Sequence, residues 1–205
     1  MGLGHGRSRG RLSKFMGVEN LQFYSVVEYL ASERSSEVRH KYLDGVIHAM
    51  SGASRKHNEV ALGIYTRLKA KIKGGPCSVY AEAVKLHITT SLSEFFYYPD
   101  VMVGCDPKDN HEYYLERPVI LFEVLSPSTE SIDRREKLLA YQAITSLEHY
   151  VIVAQEERRI EWLRRQENSW SVTVLTDPAD RLEFPGQGAS LTLAEIYEGI
   201  VFECE

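Results

Sequence analysis

The sequence predicts an α/β (α+β) fold, with one mixed central β-sheet flanked by helices. Three observations predict it. The stretch Pro118-Val-Ile-Leu-Phe-Glu-Val-Leu-Ser126 is apolar at both residue parities, which is the pattern of a strand covered on both faces. Between Arg55 and Lys73 the apolar residues Val60, Ile64, Leu68 and Ile72 recur every four positions, a helix stripe ended by Gly74-Gly75-Pro76. The whole chain reads helix, hairpin, helix, strands, helix, strands.

Each element has a local reason. Ser25-Val-Val-Glu28 has the form of a capping box and opens a short helix to about Glu33. Tyr42-Leu43, Asp44-Gly45 and Val46 to Met50 spell a tight hairpin. Strand patterns follow at Ser78 to Tyr80, Val84 to Ile88 and Asp100 to Val103, and then comes the strand with Glu123. Arg134 to Ala143 reads as a helix with Leu138, Leu139 and Ala143 on one side. Tyr150 to Ala154, Arg159 to Leu163 and Ser171 to Leu175 are strand candidates that extend or cap the sheet. Thr192-Leu-Ala-Glu195 forms a second capping box before a short C-terminal helix.

Composition narrows the function classes. A length of 205 residues suits one domain, read here as 21–205. The Gly- and Arg-rich opening, Met1 to Lys14, lacks the apolar stretch of a signal peptide. Residues 1–20 are therefore expected to be a disordered basic tail or a start-site artefact. No apolar run approaches the ~18 residues of a membrane span, so no membrane partner is expected. Cys77, Cys105 and Cys204 form no CxxC pair and no zinc spacing. Reduced thiols in a cytoplasmic protein are the expectation. The formal net charge of −5 excludes a protein held to DNA by overall charge alone, though not one with a local basic groove.

The chemistry centres on Glu123. A carboxylate in a strand with no water face needs a cation, a dense set of hydrogen bonds or a raised pKa. Asp100, between Pro99 and Val101-Met102-Val103, has a matching context. Magnesium takes one or two protein carboxylates plus waters and phosphate oxygens, so two acids on adjacent strands meet its need. The alternative for Glu123 is a buried ion pair with Lys85 or Lys137. Those two lysines are also the candidates to orient a nucleophile or offset developing phosphate charge. Lys137 and Tyr141 share a helix face at i, i+4 spacing with Asp133 one turn before.

Taken together, Leu43-Asp44-Gly45, Met50-Ser51-Gly52-Ala53-Ser54, His57-Asn58, Tyr98-Pro99-Asp100, Phe122-Glu-Val-Leu-Ser-Pro-Ser-Thr129 and Asp133-Arg134…Lys137…Tyr141 resemble the Uma-type family of putative restriction endonucleases. That family belongs to the restriction-endonuclease-like PD-(D/E)XK superfamily. The resemblance spans roughly Ser25 to Arg165. It implies a four-stranded mixed core sheet with helices on both sides, and Asp100 and Glu123 as magnesium ligands. The superfamily lysine two residues after the glutamate is Leu125 here, so its role passes to Lys137 or Lys85. Two other positions depart from the family pattern. Lys41 stands where members carry a glutamate, with Glu37 as the nearest upstream acid if that stretch is helical. Ala83 stands where members tend to have an aspartate. Glu82 lies beside it, but a one-residue strand shift points to the opposite face.

The reading is a Mg2+-dependent DNA endonuclease (Mn2+ also serving), acting on DNA as a cytoplasmic homodimer, since cutting two strands suits a symmetric dimer. Asp100, Glu123, Lys137 and Lys85 are the catalytic candidates, and Glu37, His57, Glu82 and Tyr141 the accessory ones. The rival reading is a catalytically reduced nucleic-acid-binding or interaction protein that keeps the fold.

Overall fold

The computed structural model describes residues 22–126, 136–167 and 169–202. The basic tail, Cys204 and the segment with Asp133, Arg134 and Arg135 lie outside the described residues.

Local chemistry sets the first elements. Helix α1, Val26–Glu33, opens on the Ser25–Glu28 capping box, with both reciprocal hydrogen bonds formed. Strands β1, His40–Leu43, and β2, Val46–Ala49, form the expected hairpin. Its two turn residues, Asp44 and Gly45, have φ of 47° and 96°. Both lie in the left-handed region that a two-residue hairpin of this hand requires. Helix α2, Arg55–Lys71, is N-capped by Ser54, whose hydroxyl accepts from the His57 amide.

The strands that follow are β3 (Ser78–Ala81), β4 (Lys85–Thr89), β5 (Glu94–Tyr97), β6 (Val101–Gly104), β7 (Tyr114–Leu115) and β8 (Pro118–Leu125). Helix α3, Leu138–Gln142, precedes β9 (His149–Ala154), β10 (Ile160–Arg165) and β11 (Trp170–Leu175). Strands β12 (Arg181–Phe184) and β13 (Ala189–Thr192) lead into helix α4, Leu193–Ile196, which opens on the predicted Thr192–Glu195 capping box.

The main sheet has six strands in the order β11-β10-β9-β8-β6-β3. Its β8–β9 pair is parallel and the others are antiparallel. Within it, α2-β3-β6-β8-α3-β9 makes a four-stranded mixed core with a helix on each face, as the resemblance implies. The meander β9-β10-β11 extends the sheet. The single sheet expected from sequence is joined by two others: a five-stranded sheet ordered β2-β1-β5-β4-β7 and the β12–β13 pair. The five-stranded sheet depends on Tyr42 pairing with Phe96, a contact between distant segments that periodicity does not report.

Strand β8 is apolar on both sides because both sides are covered. Ile120, Phe122 and Val124 join the cluster formed with Val60, Ile64 and Leu68 of α2. Leu121 and Leu125 join the cluster formed with Ala140 and Tyr141 of α3. Leu139, expected on the packed side of that helix, is instead 72% exposed; Ala140 and Tyr141 face inward.

The cysteine expectation is corrected. Cys77 and Cys105 form a disulfide. Ser78 lies opposite Gly104 in the antiparallel β3–β6 ladder, and the next rung brings the two cysteines face to face. Their separation of 28 residues hid that register. Replacing both by serine is expected to lower unfolding free energy by about 2–4 kcal/mol in urea melts, and to abolish the effect of added reductant on the melt. Ile64→Ala, which opens a hole under β8, is expected to cost about 2–5 kcal/mol in the same assay.

Candidate active site

The site grows from one rung of the main sheet. Val101 of β6 pairs with Phe122 of β8, so the next antiparallel rung sets Asp100 beside Glu123. Glu123 is 4% exposed. Its Oε1 accepts from the Tyr141 hydroxyl at 2.6 Å and its Oε2 from Lys137 Nζ at 3.0 Å. Both donors come from one helix face, as their i, i+4 spacing predicts. The ion pair weighed as an alternative for Glu123 is thus formed, and with Lys137. Burial, then the nearby Glu123 charge, holds the Tyr141 phenol well above its ordinary pKa, so it stays a neutral donor.

Asp100 is fixed from two sides. Its Oδ2 accepts from the Val124 amide at 2.6 Å, a charge-assisted bond to β8. His57 Nε2 lies 3.3 Å from the same oxygen. His57 sits in the first turn of α2, which brings it to Asp100 at the start of β6, and its Nδ1 is buried without a partner among the described residues. Burial pushes this imidazole down. The hydrogen bond and charge of Asp100, with Glu123 behind, outweigh burial and hold it above its ordinary value.

Glu82 is closer to this site than strand parity suggests. Strand β3 ends at Ala81, and Glu82 takes a φ of 46°, in the left-handed region. The Ala83 amide donates to the Ala81 carbonyl across this turn, which re-aims the Glu82 side chain. Its Oε1 accepts from Asn58 at 3.0 Å, and its amide donates to the Asp100 carbonyl at 3.3 Å. The opposite-face expectation fails because residue 82 is no longer in the strand.

Two candidates fall elsewhere. Glu37 is exposed and lies beyond the end of α1, so the helical condition for its role is not met. The buried acid there is Glu33, which accepts from the His40 amide at 2.9 Å, His40 Nδ1 at 3.0 Å and the Tyr98 hydroxyl at 2.8 Å. Sequence did carry a signal for it: Glu33 is four residues after Tyr29, the buried residue of α1. Lys85 is also buried, but over the Tyr98 ring at 5.3 Å from its centroid. The charges that act on it are Glu33 and Arg34, not Asp100 or Glu123.

The donor set suits a hard divalent cation. Two carboxylates on neighbouring strands match magnesium, which keeps most of its shell as water or phosphate oxygen. Among the described residues, no group of three or more His, Cys, Asp and Glu converges into a closed cage of the zinc kind.

The comparisons agree with this architecture. The family model Uma2, described as putative restriction endonuclease, matches residues 26–194. Two proteins of Synechocystis sp., both described as uncharacterized, are similar along most of their lengths. One, slr1290, is 31% identical over 176 residues, covering 85% of this chain and 92% of the relative. The other, sll1609, is 28% identical over 173 residues, covering 82% and 97%. A crystal structure from Anabaena variabilis, titled a putative nuclease belonging to DUF820, superposes with a TM-score of 0.66 at 14% identity, covering 85% of this chain and 98% of that one. At that identity the likeness speaks to the fold alone.

The raised His57 pKa makes stability depend on pH. A folded value above the unfolded one stabilises the protein below about pH 6.5, and the contribution is lost as pH rises through the folded value. His57 is expected to titrate above that reference in an NMR pH series. In Asp100→Asn, where burial is left to dominate, it should titrate below it.

Proposed function

The chain belongs to the Uma2 family, and from that premise we propose that it is a Mg2+-dependent endonuclease acting on DNA, with Mn2+ able to replace Mg2+. The observation that carries the reading is the adjacency of Asp100 and Glu123 across the β6–β8 rung, beside a lysine and the first turn of a long helix. Asp100 and Glu123 would hold the cation. When bound, it supplies polarisation of a phosphoryl oxygen and a lowered pKa for a ligated water.

The remaining work falls to this chain's own groups. Lys137 is a cation bonded to Glu123, and its ammonium orients the attacking water and offsets phosphate charge. Tyr141, kept neutral by burial, donates to Glu123 Oε1 and fixes that carboxylate's rotamer. His57 holds Asp100 Oδ2, and the Val124 amide aims the same oxygen from β8. Asn58 and Glu82 brace the Asp100 backbone from the β3 side. Lys85 is no longer assigned the water-orienting role, because it faces Glu33 and Tyr98.

A homodimer completes the proposal. The dimer rests on the two-strand geometry of the substrate. No helix of the described residues is long and apolar enough to cross a membrane. The Cys77–Cys105 bond stands against a strongly reducing compartment. A second reading, a nucleic-acid-binding protein with reduced catalysis, is favoured by one observation: both Glu123 oxygens already take donors from α3.

Supercoiled plasmid with Mg2+ or Mn2+ separates the two. Wild type is expected to nick it, with Asp100→Ala and chelator both at background and Lys137→Met strongly slowed. Equal nicking by wild type and Asp100→Ala would reject the site. No nicking, with DNA binding unaffected by chelator, would favour the second reading.

A further inference from the structure

A chain of net charge −5 can hold a polyanion only through local cations. Lys85 is the cation whose surroundings are hardest to explain otherwise. It is 9% exposed. Among the described residues, no carboxylate forms an ion pair with its Nζ. Glu33, the acid that acts on it, is already engaged by three donors: the His40 amide, His40 Nδ1 and the Tyr98 hydroxyl. A second cation, Arg34, acts on Lys85 with the same sign. An ammonium on a nine-tenths buried side chain, under the charge of a second cation and with no carboxylate of its own, is a site short of one anion.

Aromatic rings hold both cations in place. Lys85 Nζ lies over Tyr98 at 5.3 Å, and the Arg34 guanidinium over Tyr113 at 5.2 Å. The Tyr113 carbonyl accepts from the Lys85 amide at 3.2 Å, which ties the two pairs together. Chain and backbone links join the patch to the candidate active site. Tyr98 is two residues before Asp100 in the chain. Arg39 donates to the Glu82 carbonyl at 3.1 Å, and Glu82 donates to the Asp100 carbonyl.

We infer that Lys85 and Arg34 form a phosphate subsite that holds the nucleic-acid backbone next to Asp100. The inference rests on the nuclease reading above and gives its substrate a path: from the β6–β8 rung, past Arg39, onto the β4–β7 end of the five-stranded sheet. Lys85 is here a positioning residue. It touches a flanking phosphate and takes no part at the scissile one.

The test is DNA binding by fluorescence anisotropy across a salt series, with Ca2+ in place of Mg2+ so that the probe stays intact. Each phosphate contact contributes about 0.9 to the slope of log affinity against log salt on duplex DNA. Lys85→Met should weaken binding and reduce the slope by about that amount. Lys85→Arg should restore it. Arg34→Gln, at an exposed turn, should lower the slope on its own and reads the subsite if Lys85→Met folds poorly. Weaker binding with an unchanged slope in both Lys85→Met and Arg34→Gln overturns the subsite, as does wild-type affinity in both. Absence of DNA binding by the wild type overturns the nuclease reading itself, and the subsite with it.

Discussion

The structure depends on placing a carboxylate inside a sheet strand that has no face toward water. Glu123 sits in β8 between Phe122, buried under α2, and Leu121 and Leu125, buried under α3. Leaving such a charge without donors costs several kcal/mol. The surrounding elements are arranged around that cost. Helix α3 supplies Lys137 and Tyr141 from one face, and β6 brings Asp100 to the adjacent rung. Helix α2 then brings His57 to Asp100. One buried acid therefore couples both helices that sandwich the sheet.

This arrangement also lets a structural role coincide with the proposed catalytic one. Without metal, Lys137 and Tyr141 satisfy Glu123, and His57 and the Val124 amide satisfy Asp100. Each carboxylate oxygen has a second lone pair. A cation between the acids can therefore be added to these bonds rather than exchanged for all of them. The proposed cation would meet a preformed site, because the fold needs these hydrogen bonds for its own sake.

Much of this was legible from residues alone. The two-sided apolar pattern around Glu123 located the central strand. The four-residue stripe located α2, and the capping boxes at Ser25 and Thr192 located two helix starts. The i, i+4 spacing of Lys137 and Tyr141 places both on one helix face; that the face meets Glu123 is the structure's addition. What sequence hid was long-range register. The Cys77–Cys105 bond, the Tyr42–Phe96 pairing and the assignment of Lys85 to Glu33 rather than Glu123 all depend on which strands become neighbours. Glu82 was hidden for a different reason. Strand alternation does not reach it, because Glu82 lies in a turn with φ of 46° that alternation cannot describe. Glu37 is the acid nearest upstream of Lys41 in the sequence, whereas α1 delivers Glu33 to the interior.

The central claim is that Asp100 and Glu123 together bind a divalent cation, and calorimetric titration of Mn2+ into the purified protein tests it most directly. The account predicts a saturable heat near one ion per chain, lost in Glu123→Gln and in Asp100→Asn while both variants keep the wild-type circular dichroism spectrum. No saturable heat in the folded wild type, or an undiminished one in both variants, would contradict it.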